Sequence, residues 1–172
     1  YQNAELIFEN ARVPHANVVG EPHKGQKVRS GVAAEFSDFE LAANALGICD
    51  AAVENAMQYA KKETRAGKKL YDHQLVQLNI HEMHMLTEAL RSYVMRCAWD
   101  MDTKVHGSLS PVLVMAYASD VLQRVTKLNM DVHGTRGGMM DAMTQKLVRD
   151  GIIWTHLAGD NTQRLKAVRR MK

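Results

Sequence analysis

Three clusters in this chain pair reactive residue types with a spacing that chemistry can use. His81 and His84 lie three apart and would share one face of a helix, where both imidazoles could reach a single metal ion. A di-iron helical bundle, however, needs Glu-x-x-His twice and two further carboxylates. No Glu stands three residues before either histidine, so two surface histidines are the plainer reading. Gly134-Thr135-Arg136-Gly137-Gly138 is a glycine-rich connection ahead of a helix. Its backbone N–H groups and Arg136 could cradle a phosphate. The same residues equally suit a plain turn between helices with left-handed glycines. Glu35, Asp38 and Glu40 cluster near the start of a helix, where acidic side chains complement the helix dipole. One of them, facing a pocket, could instead serve as a general base.

The elements that must position these residues are mostly helical. Ala, Leu and Met are plentiful, aromatics are few, and two of the three prolines fall in the first 25 residues. From about Val32, Phe36, Phe39, Ala43, Leu46, Cys49, Val53, Ala56 and Ala60 recur at helical spacing, and Gly67 ends the run. A second helix is predicted from about Asp72 to Asp102, with Leu75, Leu78, Met85, Leu86, Tyr93, Val94, Cys97 and Met101 on its apolar side. Gly107 and Ser108 break it. Ser110 suits an N-cap and Pro111 a first helical position, opening a third helix to about Val132 with Leu113, Ala116, Val121, Val125 and Leu128. A fourth runs from about Met139 to His156, carrying Met140, Met143, Leu147 and Ile153. The methionines read as core filler. The sum is an all-α chain, an antiparallel four-helix bundle over residues 29–172.

Residues 1–28 read differently. Glu5-Leu6-Ile7-Phe8-Glu9 suits a short strand, and Val13-Pro14 and Gly20-Glu21-Pro22 are turn signals. A lone strand needs a sheet that the rest of the chain does not offer, so the segment is expected to be the end of another domain plus a linker. The net charge of +3 is too small to indicate a nucleic-acid partner. No apolar run is long enough to span a bilayer, and no signal peptide is recognisable. Cys49 and Cys97 suggest neither a disulfide framework nor a CxxC site, hence a reducing compartment: the cytoplasm, or the mitochondrial matrix in a eukaryote. The basic residues Arg164, Lys166, Arg169, Arg170 and Lys172 read as a solvated tail whose composition also suits a short helix.

The order of these features resembles the acyl-CoA dehydrogenase family. ELIFENARVPHANVVGEPHKG is similar to the last strand and exit turn of its middle β-domain. Leu46-Gly47, Tyr59-Ala60, Gly67 and His73-Gln74 match marks on its first two bundle helices, DVHGTRGG resembles its flavin-contacting glycine turn, and KLVRDGIIWTHLAGDNTQRLKAVRR its closing segment, anchored by Arg149-Asp150. The resemblance implies FAD as cofactor, an acyl-CoA substrate, an electron-transfer acceptor protein as partner, and assembly into a homodimer or homotetramer. It implies α,β-dehydrogenation, in which a carboxylate takes the pro-α proton while hydride leaves the β-carbon. It also implies that this portion alone is inactive. Flavin contacts are implied for Arg65, Gln74, Gly134, Thr135, Gly137 and Thr162.

Departures from the family pattern refine these expectations. The usual closing Glu-Gly-Thr is replaced by Ala158-Gly159-Asp160. Ala158 cannot take a proton, though its backbone N–H could hold the thioester oxygen. In a subgroup similar to isovaleryl-CoA dehydrogenase the base sits on the first bundle helix in Asp-Leu-Glu-Arg, which Asp38-Phe39-Glu40-Leu41 resembles. Glu40 is the implied base and Glu35 its reserve. Glu63 stands where the family has an Arg that grips the FAD pyrophosphate of a neighbouring subunit, with Arg65 two residues on. These departures leave an alternative: a relative that has lost dehydrogenation and serves as a non-catalytic assembly domain.

Overall fold

The structure is a computed structural model that describes residues 4–29, 32–103, 109–157 and Thr162. A short helix α1 (Gly25–Arg29) precedes the long α2 (Val32–Lys62). A two-residue hairpin, β1 (Thr64–Arg65) and β2 (Lys68–Lys69), leads into α3 (Gln74–Thr103), α4 (Leu109–His133) and α5 (Met143–Trp154). The four long helices form the bundle, as the periodicity requires.

The bundle closes because α2 is smooth. Ala42, Ala45, Cys49, Ala52, Ala56 and Ala60 are wholly buried and recur every three or four residues, so α4 can approach closely. On α4 burial extends nearly all round, through Val114, Met115, Ala118, Leu122, Val125 and Asn129. It is the central helix, with α2 and α3 packed against it and α5 against α2 and α4. Burial of this apolar surface supplies the main driving force, at about 25 cal/mol per Å².

Several sequence expectations need correction. Residues 4–14 form no strand: Leu6, Ile7 and Phe8 lie about three-quarters exposed, and the described residues offer no edge for them to pair with. The one sheet among the described residues is the β1–β2 hairpin, whose turn carries Ala66 and Gly67 at φ 50° and 79°. This left-handed pair tightens the chain into a two-residue loop. Helix α4 begins at Leu109, so Ser110 is not its cap; the Ser110 hydroxyl donates instead to the buried Asp100 carboxylate of α3 at 2.9 Å. Pro111 is tolerated in that first turn because its missing N–H would have had no partner. On α3 the expected Val94 and Cys97 are buried and Leu86, Tyr93 and Met101 pack against the core, but Leu75, Leu78 and Met85 face solvent and Ile80, Met83 and Leu90 are buried instead. Methionines fill the core at Met83 and Met115, but Met95, Met139, Met140 and Met143 are exposed. Helix α5 is shorter than expected by four residues at its start, and Met140 lies outside it. The break at Gly107-Ser108 and the basic tail from Arg164 lie outside the described residues.

Candidate functional site

Two concave regions among the described residues bear on the site. The larger is an open groove of about 810 Å³ between α2 and α3, lined by Val53, Met57, Tyr71 and Ile80, with Asp50 and Arg91 among its polar residues. Both His81 and His84 border it and are exposed. Among the described residues no three His, Cys, Asp or Glu side chains converge to hold a metal. The intervening Glu82 turns to α4, where Arg124 grips it through two hydrogen bonds of 2.6 and 2.9 Å. Hydrogen bonding to Arg124 holds its carboxyl below the usual range. Arg91 likewise joins α3 to Asp50 of α2 at 2.6 Å, so this ion pair braces the groove from side to side.

The second region lies where α2 and α4 end together. The His133 ring stacks on Tyr59 with centroids 4.0 Å apart and planes inclined by 25°. Its Nδ1–H donates to the Asn129 carbonyl at 2.9 Å. Burial pushes the imidazole below its ordinary pKa and outweighs that hydrogen bond, so His133 is held neutral; nearby Arg136 acts in the same direction. One side of the ring pair opens on a cavity of about 360 Å³ bordered by Arg65, Gly134, Thr135 and Arg136. The other side opens on about 210 Å³ bordered by Asn55, Glu63 and Thr144. Tyr59, His133 and Arg136 belong to both walls.

Two guanidinium groups and a hydroxyl on one small cavity form a donor set that fits a phosphate-type anion, and the one acid in that lining, Asp131, is paired with Lys127 at 2.6 Å. Both cations already have counter-charges. Arg65 Nη1 lies 3.5 Å from the Glu63 carboxylate. Arg136 donates through both terminal nitrogens to both oxygens of Asp141, at 2.6 and 2.7 Å. That bidentate contact holds the Asp141 carboxyl below the usual range.

The glycine turn works differently from a cradle at a helix N-terminus. Gly134–Gly138 prolong α4 as a 3-10 turn, and α5 starts only at Met143. Gly134 adopts φ 57°, the left-handed conformation, and a side chain there would meet open space. Gly137 is needed for room: a Cβ would lie 2.7 Å from Met130 Sδ and 2.9 Å from His133 Cβ. Its role is packing, and the phosphate-facing groups are the side chains around it. Gln74 is the exposed first residue of α3, next to His73, whose ring is 3.0 Å from the Arg65 carbonyl. Gln74 does not line either cavity. Thr162 is exposed and helical.

Glu40 sits far from this cluster. It is more than two turns inside α2, beyond the reach of the helix-terminal dipole, so dipole complementation does not explain it. At about 1.5 Å per residue it stands roughly 35 Å along α2 from Glu63. Beside it, the Leu41 carbonyl accepts a hydrogen bond of 2.9 Å from Trp154 Nε1. The root of the closing segment therefore meets α2 next to Glu40. Ala158 and Asp160 lie outside the described residues, as does the Glu35 side chain. The structure thus gathers Arg65, Gly134, Thr135 and Arg136 at one end and leaves Glu40 at the other. Sequence reasoning overlooked His133 and Asp141, and it read Tyr59 only as a family mark. A histidine abutting the glycine turn and an acid five residues after Arg136 were the available signals.

Comparison with known proteins bears on this arrangement. The profile of the acyl-CoA dehydrogenase C-terminal domain matches residues 33–171. A short-chain-specific acyl-CoA dehydrogenase of Megasphaera elsdenii is 30% identical over 164 residues, covering 95% of this chain and 43% of that protein. A subunit of the caffeyl-CoA reductase–Etf complex of Acetobacterium woodii is 25% identical over 156 residues, covering 91% of this chain and 41% of its own length. The solved butyryl-CoA dehydrogenase of M. elsdenii superposes with a TM-score of 0.83 at 28% identity, over 95% of this chain and 43% of that one. The chain thus spans about two-fifths of the length of the relatives it matches.

Proposed function

Because the chain belongs to the acyl-CoA dehydrogenase family, we propose that it is the C-terminal helical domain of an FAD-dependent enzyme that dehydrogenates acyl-CoA thioesters at the α,β-carbons. Residues 1–28 would then complete a preceding β-domain and its linker. The observation that carries this reading is the convergence of Arg65, Thr135 and Arg136 on one cavity, a donor set suited to a diphosphate. Residues held together there would grip the cofactor through its phosphates. Neutral His133 on Tyr59 adds a flat wall without a competing charge.

When bound, FAD supplies the hydride acceptor. This chain's part is then to move a proton and stabilise charge. Glu40 is the proposed catalytic base, taking the pro-α proton onto its carboxylate. The backbone N–H of Ala158 is the proposed donor to the thioester oxygen as enolate character develops. The hydrogen bond between Trp154 and Leu41 supports this pairing, because it ties the closing segment to α2 beside Glu40. The separation of roughly 35 Å along α2 means that one chain's phosphate-binding end and its base serve different cofactor molecules. That agrees with an oligomer in which neighbours share sites. An electron-transfer acceptor protein is the proposed partner, by analogy with the relative found in an Etf complex. The proposed location is a reducing compartment, and no helix among the described residues is long and apolar enough to cross a membrane.

One observation favours a second reading. Both cavity guanidiniums are matched by carboxylates, Glu63 and Asp141, as a non-catalytic assembly domain would tolerate. The native gene product decides between them. Purified, it should be yellow with bound FAD, and acyl-CoA should bleach the flavin band. Glu40→Gln should abolish bleaching while leaving the colour. A colourless protein supports the assembly reading, and bleaching at the normal rate in the variant removes Glu40 as base.

A further inference from the structure

We propose that Asp141 is a built-in competitor for the anion site at Arg136, setting how tightly a phosphate group can bind there. The inference rests on the diphosphate reading above. The two Asp141 oxygens occupy both terminal nitrogens of the Arg136 guanidinium, at 2.6 and 2.7 Å. A phosphoryl group would use the same planar fork. The carboxylate therefore holds the donors that an incoming phosphate would use, and binding to them is an exchange of one oxyanion for another.

Three features make the exchange cheap. Asp141 is the more exposed partner, at 69% against 47% for the Arg136 side chain, so the displaced carboxylate is readily hydrated. It stands on the turn between Gly138 and α5, outside any helix. Arg136 forms part of the wall of both cavities, so a ligand in either one lies beside its side chain. Other acids nearby are engaged elsewhere: Asp131 pairs with Lys127 at 2.6 Å, and Glu63 with Arg65 at 3.5 Å. Asp141 is thus the one of these acids that is hydrogen-bonded to Arg136.

The test uses inorganic pyrophosphate and the full 172-residue chain. Binding is followed by the ¹⁵N–¹H amide shifts of Thr135 and Arg136 in the wild type, Asp141→Asn, Arg136→Gln and the double variant. The dispersed amide spectrum reports that each variant is folded. Asp141→Asn should bind pyrophosphate roughly three- to fivefold tighter than the wild type, the scale of an exposed ion pair. In the Arg136→Gln background the same change should gain less than about 1.5-fold. An equal gain in both backgrounds would mean a simple field effect and overturn the proposal. So would wild-type binding that Asp141→Asn leaves unaltered, with the diphosphate reading intact. If no variant, Asp141→Asn included, binds pyrophosphate at these amides, the diphosphate reading falls and the competitor role with it.

Discussion

The two ends of α2 are built to opposite specifications. Around Tyr59 and His133 the surface is polar: Arg65, Arg136 and Lys62, the Thr135 and Thr144 hydroxyls, and the acids Glu63, Asp131 and Asp141 surround a stacked ring pair and two small cavities. Around Leu41 it is largely apolar, with Phe36 against Phe39 at 6.4 Å, Trp154 packed on the helix, and the exposed Glu40 among them. The first end suits phosphate. The second, on the reading proposed above, would take a proton from carbon through the exposed Glu40 carboxylate. The lesson is that a long helix can hold two unlike half-sites apart, so that a single ligand cannot sample both.

The contrast can be broken one end at a time. Gly137→Val should have the largest effect, about 2–3 kcal/mol of stability and about 5–10 °C in melting temperature, because His133 Cβ, 2.9 Å from the new Cβ, is fixed to its helix. Amide hydrogen exchange should show the loss around Tyr59 and His133, with the Leu41 end protected. Trp154→Ala should cost about 2 kcal/mol and reverse that exchange pattern, since the half-buried indole and its bond to the Leu41 carbonyl both go. If the ends are independent, the double variant should lose the sum of the two to within about 0.5 kcal/mol. A strongly non-additive melt would mean that α2 couples them.

A smaller and opposite effect sharpens the comparison one turn in from His133. Asn129 is wholly buried and neither its Nδ2 nor its Oδ1 has a hydrogen-bond partner. Asn129→Leu should raise stability by about 1 kcal/mol in chemical denaturation, because an unpaired buried amide is replaced by carbon. The smallest effect is in pH dependence. Burial lowers the native pKa of His133 below its ordinary 6.5, so the unfolded chain binds the extra proton first. Stability from this residue is full above about pH 6.5 and is lost as pH falls toward the native value. His133→Gln should flatten that part of the stability profile below pH 6.5, leaving the region above unchanged.

The long helices were legible because their periodicity is strong. The spacing of alanines along α2 by itself announces a closely packed seam. Helix α3 was harder, since it carries more apolar residues than one face can bury. Leu75, Leu78 and Met85 compete with Ile80, Met83 and Leu90, and only the position of α4 decides between the stripes. Strand character at Leu6-Ile7-Phe8 was intrinsic to the residues, but pairing is a property of neighbours. At the site, Arg65, Gly134 and Thr135 were legible through resemblance and do converge. The counter-charge on Arg136 was not, because an acid five residues away becomes a partner only through the 3-10 turn.

Helix α5 is pinned to α2 by side-chain hydrogen bonds from both its extremities: Thr144 Oγ1 to Asn55 Oδ1 at 3.1 Å, and Trp154 Nε1 to the Leu41 carbonyl at 2.9 Å. A rod fastened at two separated points can neither slide nor swivel. The three described residues directly after Trp154 therefore leave α5 from a position that α2 has already set.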